Sequence, residues 1–338
     1  MKVLITGATG FLGGALLERL LVHGERDIRC FVRAGSKRAR IDELAKKYPQ
    51  ATIELFNGTL GSPAGAAKAL EGVDIVYHLA AALSGTAADM FLNTVVTSKN
   101  LLEAVVASGR PIKVVLVSSF GVYGVASLPR NHLLTETTPL EEHPERRDIY
   151  SQAKRRQERL FWDYHEKHRF PLVVLRPGVI YGPFGGAYSS RVGIDLMGLF
   201  LHLGRDNMLP LSYVENCAEA IVVAGQSEQA NGQAYNVHDD DLPTCKQYLD
   251  LYKKNVKKIR SISVPYVALQ AISTVVQRYN VFSKGQLPAI FTPYKTATSW
   301  KGNRFDNAKL KGIGWKQIVP TSDGLQRTFT WLRENPKK

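Results

Sequence analysis

Cysteine is scarce in this chain: Cys30, Cys217 and Cys245 are the only three. They are odd in number, far apart and in no metal-like spacing, which excludes a disulfide-stapled scaffold and a cysteine-ligated metal centre. They read as reduced, buried or half-buried thiols of a cytosolic-type protein, and no metal is expected. Long apolar runs are missing as well. The longest, Val264 to Val276, is too short to span a bilayer and contains polar residues. With the first strand expected from Lys2, no leader peptide is expected and the chain reads as cytoplasmic. No internal repeat or low-complexity tract is present. Acid is in deficit, with 30 Asp and Glu against 44 Lys and Arg, a formal charge of +14. Such an excess suits nucleic acid, an anionic membrane surface or an anionic ligand. The basic clusters (Lys37-Arg38-Arg40, Lys154-Arg155-Arg156, and Lys253-Lys254 with Lys257-Lys258-Arg260) belong to different expected elements. No aromatic-interleaved patch or nucleic-acid motif accompanies them, so nucleic acid is not expected as a partner. What remains is an ordinary globular composition, 44% hydrophobic and 22% charged over 338 residues, enough for one large domain with an appendage.

The most informative stretch is Thr6 to Gly13, Thr-Gly-Ala-Thr-Gly-Phe-Leu-Gly. It follows an apolar strand, Val3-Leu4-Ile5, and runs into a helical pattern from Ala15 to Val22. Strand, glycine loop and helix form the context of a dinucleotide-binding fingerprint. In that reading Gly7 permits a tight turn, Gly10 lets the backbone approach a pyrophosphate and Gly13 lets the helix pack close. The helix N-terminus then offers unpaired N–H groups and the positive end of its dipole.

A second strand, Asp27 to Val32, ends at Arg33, with Ser36, Lys37 and Arg38 just behind. An enzyme using NAD usually carries an acid there to hold the ribose 2′-hydroxyl. A guanidinium instead pairs with a 2′-phosphate, and such charge-assisted bonds are worth roughly 1.5–3 kcal/mol each. NADP(H) is therefore expected in preference to NAD(H). Further strands are expected at Thr52–Phe56, Ile75–His78, Lys113–Val117 and Leu172–Leu175. A long helix is expected from about Ala88 to Ser108, and a loop over residues 125–147 leads to a helix beginning near Asp148. Small residues after His78 leave room beside a cofactor, and His78 itself reads as a satisfied structural histidine. This alternation predicts an α/β fold, a doubly wound parallel (Rossmann) sheet over residues 1–180. Residues 181–338 read as a smaller mixed α/β substrate-binding cap, with some segments returning to the core. Helices are expected there near Val192–Leu203, Cys217–Gln226, Thr244–Asn255, Val264–Tyr279 and Ser322–Asn335.

Tyr150 and Lys154 are four apart in an expected helix and so share a face. A free tyrosine titrates near 10, and an adjacent ammonium would lower that value toward the working range of an acid or base. Ser119, at the mouth of a strand, can hydrogen-bond a carbonyl or hydroxyl oxygen. Asn93 on the long helix can hold a water linking Lys154 to solvent.

These stretches resemble the extended short-chain dehydrogenase/reductases, the group that includes the NAD-dependent epimerases and dehydratases. The resemblance rests on TGATGFLG at 6–13, HLAA at 78–81, Asn93, VSSFGVYG at 117–124, YSQAK at 150–154 and LRPGVIYGP at 175–183. It implies a catalytic group of Ser119, Tyr150 and Lys154 with Asn93 in support. The implied cofactor contacts run through Thr6, Gly7, Gly10, Phe11, Leu12 and Gly13, then Arg33, Ser36 and Arg38. Leu60, Leu79, Ala80, Ala81 and Ser118 follow, with Tyr150 and Lys154. Arg176, Pro177, Gly178 and Val179 would lie beside the nicotinamide. A homodimer pairing through the long helix and the Tyr150 helix is also implied. Departures narrow the choice. Phe120-Gly121 stands where sugar-nucleotide dehydratases carry Asp-Glu, and Arg176-Pro177-Gly178-Val179 where epimerases often carry Arg-Tyr-Phe-Asn. The region is nearer to reductases and 3β-hydroxysteroid dehydrogenase-like members.

The expectation is an oxidoreductase that interconverts a small-molecule ketone or aldehyde and an alcohol. A sugar-nucleotide epimerase with retained NAD, in which Arg191 or Arg205 grips a diphosphate, is the first alternative; a non-catalytic nucleotide-binding protein is the second. The segment Lys253–Phe282 reads as an ordinary amphipathic helix packed on the cap, in preference to a membrane-surface contact or the lip of a lipid cleft.

Overall fold

The computed structural model describes residues 1–186, 188–283 and 291–336. Its first part alternates strand and helix: β1 (Lys2–Thr6), α1 (Phe11–Val22), β2 (Asp27–Val32), α2 (Ala39–Lys47), β3 (Thr52–Asn57), α3 (Pro63–Ala69) and β4 (Ile75–His78). Next come α4 (Ala87–Phe91), α5 (Thr97–Ala107), β5 (Lys113–Val117), β6 (His132–Leu134), α6 (Ile149–His168) and β7 (Leu172–Pro177). Seven strands form one parallel sheet in the order β12-β7-β5-β4-β1-β2-β3, β12 being Gln233–Val237. Successive residues of each strand serve opposite layers. Val3 and Ile5 join the apolar cluster under α1, whereas Leu4 joins the cluster under α3, α5 and α6. That alternation buries both faces, the requirement of a parallel sheet. The strand order reverses between β1 and β4, and there the C-terminal strand ends open a crevice.

Local sequence sets the boundaries. Ser62 caps α3 by accepting the Gly65 N–H, with Pro63 in the first turn, where its missing N–H costs nothing. Asp148 caps α6 and accepts from Ser151. Thr244 and Gln247 form a reciprocal capping box at α8 (Cys245–Asn255). The long helix expected around residues 88–108 is interrupted: Leu92–Val96, between α4 and α5, is a π-helical turn.

The remaining elements are β8 (Val179–Tyr181), β9 (Gly193–Leu196), β10 (Leu199–His202), β11 (Leu211–Tyr213), α7 (Val214–Gln226), β13 (Ser261–Ser263), α9 (Tyr266–Phe282), α10 (Pro293–Trp300), β14 (Asn303–Phe305), α11 (Ala308–Gly312) and α12 (Thr321–Glu334). The segment Val192–Leu203, expected to be a helix, is a β-hairpin. Met197 and Gly198 both take positive φ, 54° and 85°, the signature of a two-residue turn whose twist suits a hairpin. Asp195 Oδ1 accepts the Gly198 N–H at 2.9 Å and closes the turn. The hairpin joins β13 in a separate three-stranded sheet. Strand β12 forms the edge of the main sheet, so this segment of the second half returns to the core, and α7 packs beside α1. Within the 125–147 loop, β6 pairs with β14, so the C-terminal part reaches back to this loop.

Candidate functional site

The crevice at the C-terminal strand ends is lined first by the glycine loop. Gly7 has φ +78°, which side-chain-bearing residues rarely adopt, and its carbonyl accepts the Gly10 N–H at 3.0 Å. A Cβ on Gly13 would stand 2.1 Å from the Gly7 oxygen, so only glycine lets α1 begin this close to its own loop. Gly10 precedes α1 with no side-chain cap, and the first turn carries no acid. The N–H groups of Phe11, Leu12 and Gly13 are thus offered to an external anion, the chemistry that a pyrophosphate needs. Phe11 rests against Gly182 and Gly185 in the loop beyond β8. Leu79 and Ala80 hydrogen-bond Thr6 through their N–H groups, and Ala81 is half-buried behind them. Leu60 is buried, its carbonyl accepting from Asn100 Nδ2 at 2.7 Å.

At the end of β2, Arg33 and Arg38 are exposed and Ser36 is half-exposed, around a turn in which Gly35 has φ +77°. Sequence reasoning left out a fourth group, Arg40. Its side chain lies across Gly14, where a Cβ would meet Arg40 Cδ at 2.6 Å.

Ser119 and Tyr150 come together. Ser119 Oγ accepts the Gly121 N–H at 3.1 Å, and Tyr150 is half-buried with its hydroxyl hydrogen-bonded to Ser119. Burial raises the Tyr150 pKa first, the Ser119 bond opposes it, and Asp148 adds to the rise. The expected lowering by Lys154 is absent, because that ammonium is turned away. Lys154 Nζ donates to the Val117 carbonyl at 2.7 Å and to Gln157 Oε1 at 2.8 Å. Burial brings its pKa down to about 7, against the opposing pull of Glu158.

From Lys154 a buried polar chain runs back to the glycine loop. Gln157 Nε2 donates to Ser98 Oγ at 2.8 Å, Ser98 meets His78 Nε2 at 2.9 Å, and His78 Nδ1 meets Thr6 Oγ1 at 2.8 Å. Burial, with Lys154 second, pushes His78 down to about 3, so it is neutral. The three-residue offset from Lys154 was the available sign for Gln157, since it shares the helix face. Ser98, a small residue in a long helix, gave none.

Several expected residues direct their polar groups to other partners. Asn93 lies in the π-helical turn, and its Nδ2 donates to the Asp89 carbonyl at 2.8 Å, one turn back and not toward Lys154. Ser118 donates its hydroxyl to Glu158. Arg176 is committed to the same carboxylate, with Nη2 2.6 Å from Glu158 Oε1 and Nη1 donating to Tyr123 Oη at 3.0 Å. Pairing with Glu158 overcomes burial and holds the guanidinium pKa above its ordinary value. Gly178 supports a chain crossing: a Cβ there would stand 2.2 Å from the Pro210 carbonyl oxygen, which also accepts the Val179 N–H. Pro177 ends β7 directly before it. Arg191 is half-buried, and burial and then Arg147 lower its pKa. Asp148, the cap of the Tyr150 helix, is among the charges that act on it.

Comparison with known proteins agrees with this architecture. Residues 3–237 match the NAD dependent epimerase/dehydratase family. The chain is 25% identical to a 2-alkyl-3-oxoalkanoate reductase of Shewanella oneidensis, over 96% of this chain and 84% of that one. It is 27% identical to a decarboxylating sterol-4-alpha-carboxylate 3-dehydrogenase of Candida albicans, over 99% and 98%. In fold it is similar to the Thermus thermophilus UDP-glucose 4-epimerase solved with NAD, with a TM-score of 0.71, 21% identity and coverage of 98% and 99%. With the glycine cradle and the parallel sheet already in view, the chain belongs to the NAD dependent epimerase/dehydratase family, within the extended short-chain dehydrogenase/reductases.

Proposed function

We propose that this protein is an NADP(H)-dependent oxidoreductase that interconverts a ketone or aldehyde and an alcohol. The observation that carries the reading is the Tyr150–Ser119 pair at the mouth of β5, beside the glycine cradle. Tyr150 is protonated at neutral pH, so in the reducing direction it hands its phenolic proton to the substrate oxygen as that oxygen gains charge. Ser119 steadies the same oxygen with a hydrogen bond. Its Oγ already accepts from the Gly121 N–H, and its hydroxyl, paired here with Tyr150, would turn to the substrate oxygen. Solvent then reprotonates half-buried Tyr150, while Lys154, one helical turn on, donates instead to the Val117 carbonyl and Gln157. The residues that would hold the cofactor are the N–H groups of Phe11 to Gly13 for the pyrophosphate and Arg33, Ser36, Arg38 and Arg40 for a 2′-phosphate. When bound, a nicotinamide supplies or takes the hydride at the carbon that carries that oxygen.

The names of both full-length relatives specify a carboxylate near the oxidised or reduced carbon. Arg191, close to the cap of the Tyr150 helix, suits such an anion. The same cation also suits the diphosphate of a sugar nucleotide, which keeps an epimerase as the second reading. A homodimer through the long helix and the Tyr150 helix belongs to the proposal, as does a cytoplasmic enzyme without a nucleic-acid partner. Turnover of 3-oxo acids with NADPH is the test. Stoichiometric NADPH oxidation, lost at least a hundredfold in Tyr150→Phe with the cofactor still bound, is the expected result. Equal turnover in that variant overturns the role of Tyr150. No net cofactor consumption with a sugar nucleotide as substrate favours the epimerase.

A further inference from the structure

Helix α9 leaves most of its apolar surface uncovered. Within a soluble fold an amphipathic helix buries its apolar stripe and shows its polar face to water. Here the buried positions are Leu269 and Ser273. The inward contacts mix apolar and polar groups: Leu269 packs with Leu203 and Trp300, Ser273 Oγ meets Thr296 Oγ1 at 2.6 Å, and Gln270 Nε2 donates to the Pro293 carbonyl at 3.3 Å. A separate face of the helix carries Ala268, Ile272, Val275, Tyr279 and Phe282, spaced four, three, four and three, and all are exposed. Val275 is 66% exposed and Phe282 84%. The three-stranded sheet adds exposed apolar side chains of its own. Leu196 pairs with Leu199 and Ile262 with Leu201, on the face where Leu201 packs with Leu269, and both Leu196 and Ile262 are more than half exposed. Exposed apolar surface of this extent marks an interaction site. The packing expected from the sequence, apolar face on the cap, is met only around Leu269, and the longer apolar stripe faces out.

Charge selects the partner. From Leu251 to Phe305 the chain has no Asp or Glu and ten Lys or Arg, most of the net charge of the whole molecule. Lys254, Lys257, Lys258, Arg260 and Arg278 are exposed. Arg260 is tied to the edge of the patch, its carbonyl accepting the Phe200 N–H at 2.9 Å beside Leu199. Two copies meeting through this surface would bring like charges together. An anionic bilayer offers both a counter-charge for the lysines and an apolar phase for the stripe. We propose that the α9 face with its basic flank is a peripheral docking surface for membranes rich in anionic phospholipid. The proposal is independent of the catalytic reading.

The test is co-sedimentation of the full chain with vesicles of phosphatidylcholine alone and of phosphatidylcholine mixed with phosphatidylserine. Wild type is expected to sediment with the mixed vesicles and to be released by high salt, which screens the charge term. The double variants V275E/Y279E and K257E/K258E should each bind about tenfold more weakly or worse. All four side chains are exposed, so the thermal unfolding midpoints should stay at the wild-type value and show that both variants fold. Wild type left in the supernatant overturns the proposal, as does undiminished sedimentation of both variants. A salt-stable dimer that V275E/Y279E splits, without vesicle binding, assigns the surface to a second copy instead and equally overturns it.

Discussion

The commitment of Arg176 to Glu158 makes a sharp prediction, because family resemblance implied a place for Arg176 beside the cofactor. Glu158 is fully buried, and Arg176 is 4% exposed. The carboxylate takes three close contacts from the guanidinium, at 2.6, 3.1 and 3.3 Å, together with the Ser118 hydroxyl and Trp162 Nε1 at 3.3 Å. Removing either charge strands the other in the interior, which costs about 3–5 kcal/mol. Glu158→Met and Arg176→Met should therefore each lower the midpoint of urea unfolding by about 1 M or more, taking a slope near 3 kcal/mol/M. The double variant E158M/R176M leaves no unpaired charge and should lose less than either single change, a strong non-additivity. NADPH affinity of the folded double variant should stay within about threefold, a shift smaller than the roughly 1.4 kcal/mol of a tenfold change. Single variants that lose under about 1 kcal/mol, or losses that simply add, would refute the buried-pair account. A collapse of NADPH affinity with stability intact would return Arg176 to the cofactor.

Gly13→Ala should abolish tight NADPH binding, because the new methyl would meet backbone at 2.1 Å rather than a flexible side chain; isothermal titration with unchanged affinity would contradict the cradle geometry. His78 supplies a pH prediction. The folded form stays neutral down to about 3, whereas the unfolded chain takes up its proton near 6.5, so between those values the unfolded state binds more protons and stability falls as pH drops. At about 1.4 kcal/mol per unit the loss by about pH 4 is roughly 2–4 kcal/mol. His78→Gln should flatten that acid limb of a melting-temperature profile, and an unchanged limb would show that His78 does not titrate this way.

Strands and cofactor loop were legible because local and global signals agree there. Val3-Leu4-Ile5 before a glycine triplet and a helical pattern admits few other folds, and the apolar runs Ile75–His78 and Lys113–Val117 match β4 and β5 residue for residue. The hairpin at 193–202 was read as a helix because its apolar residues suit either period over so short a run. The positive φ of Met197, which settles the turn, has no signature in a methionine. The α9 packing is illegible for a related reason. Periodicity reveals a stripe but not which side the rest of the chain will cover. At the candidate site, Ser119 and Tyr150 were legible as types in a spacing. The orientation of Lys154 was not, since it depends on the carbonyl of Val117 and the amide of Gln157, which only the tertiary structure brings within reach. The assignment of Arg176 to the cofactor end followed motif position alone; the buried carboxylate that claims it sits on another element.

In the proposed reading, the basic end of β2 recognises a 2′-phosphate at the mouth of a dinucleotide cradle. Fluorescence titration of the purified protein with NADPH and, separately, NADH, in wild type and Arg33→Ala, tests it most directly. NADPH is expected to bind at least tenfold tighter than NADH in wild type, with most of that preference lost in the variant, in keeping with one or two charge-assisted hydrogen bonds. Equal or tighter binding of NADH, or protein that purifies with oxidised NAD already bound, would contradict it.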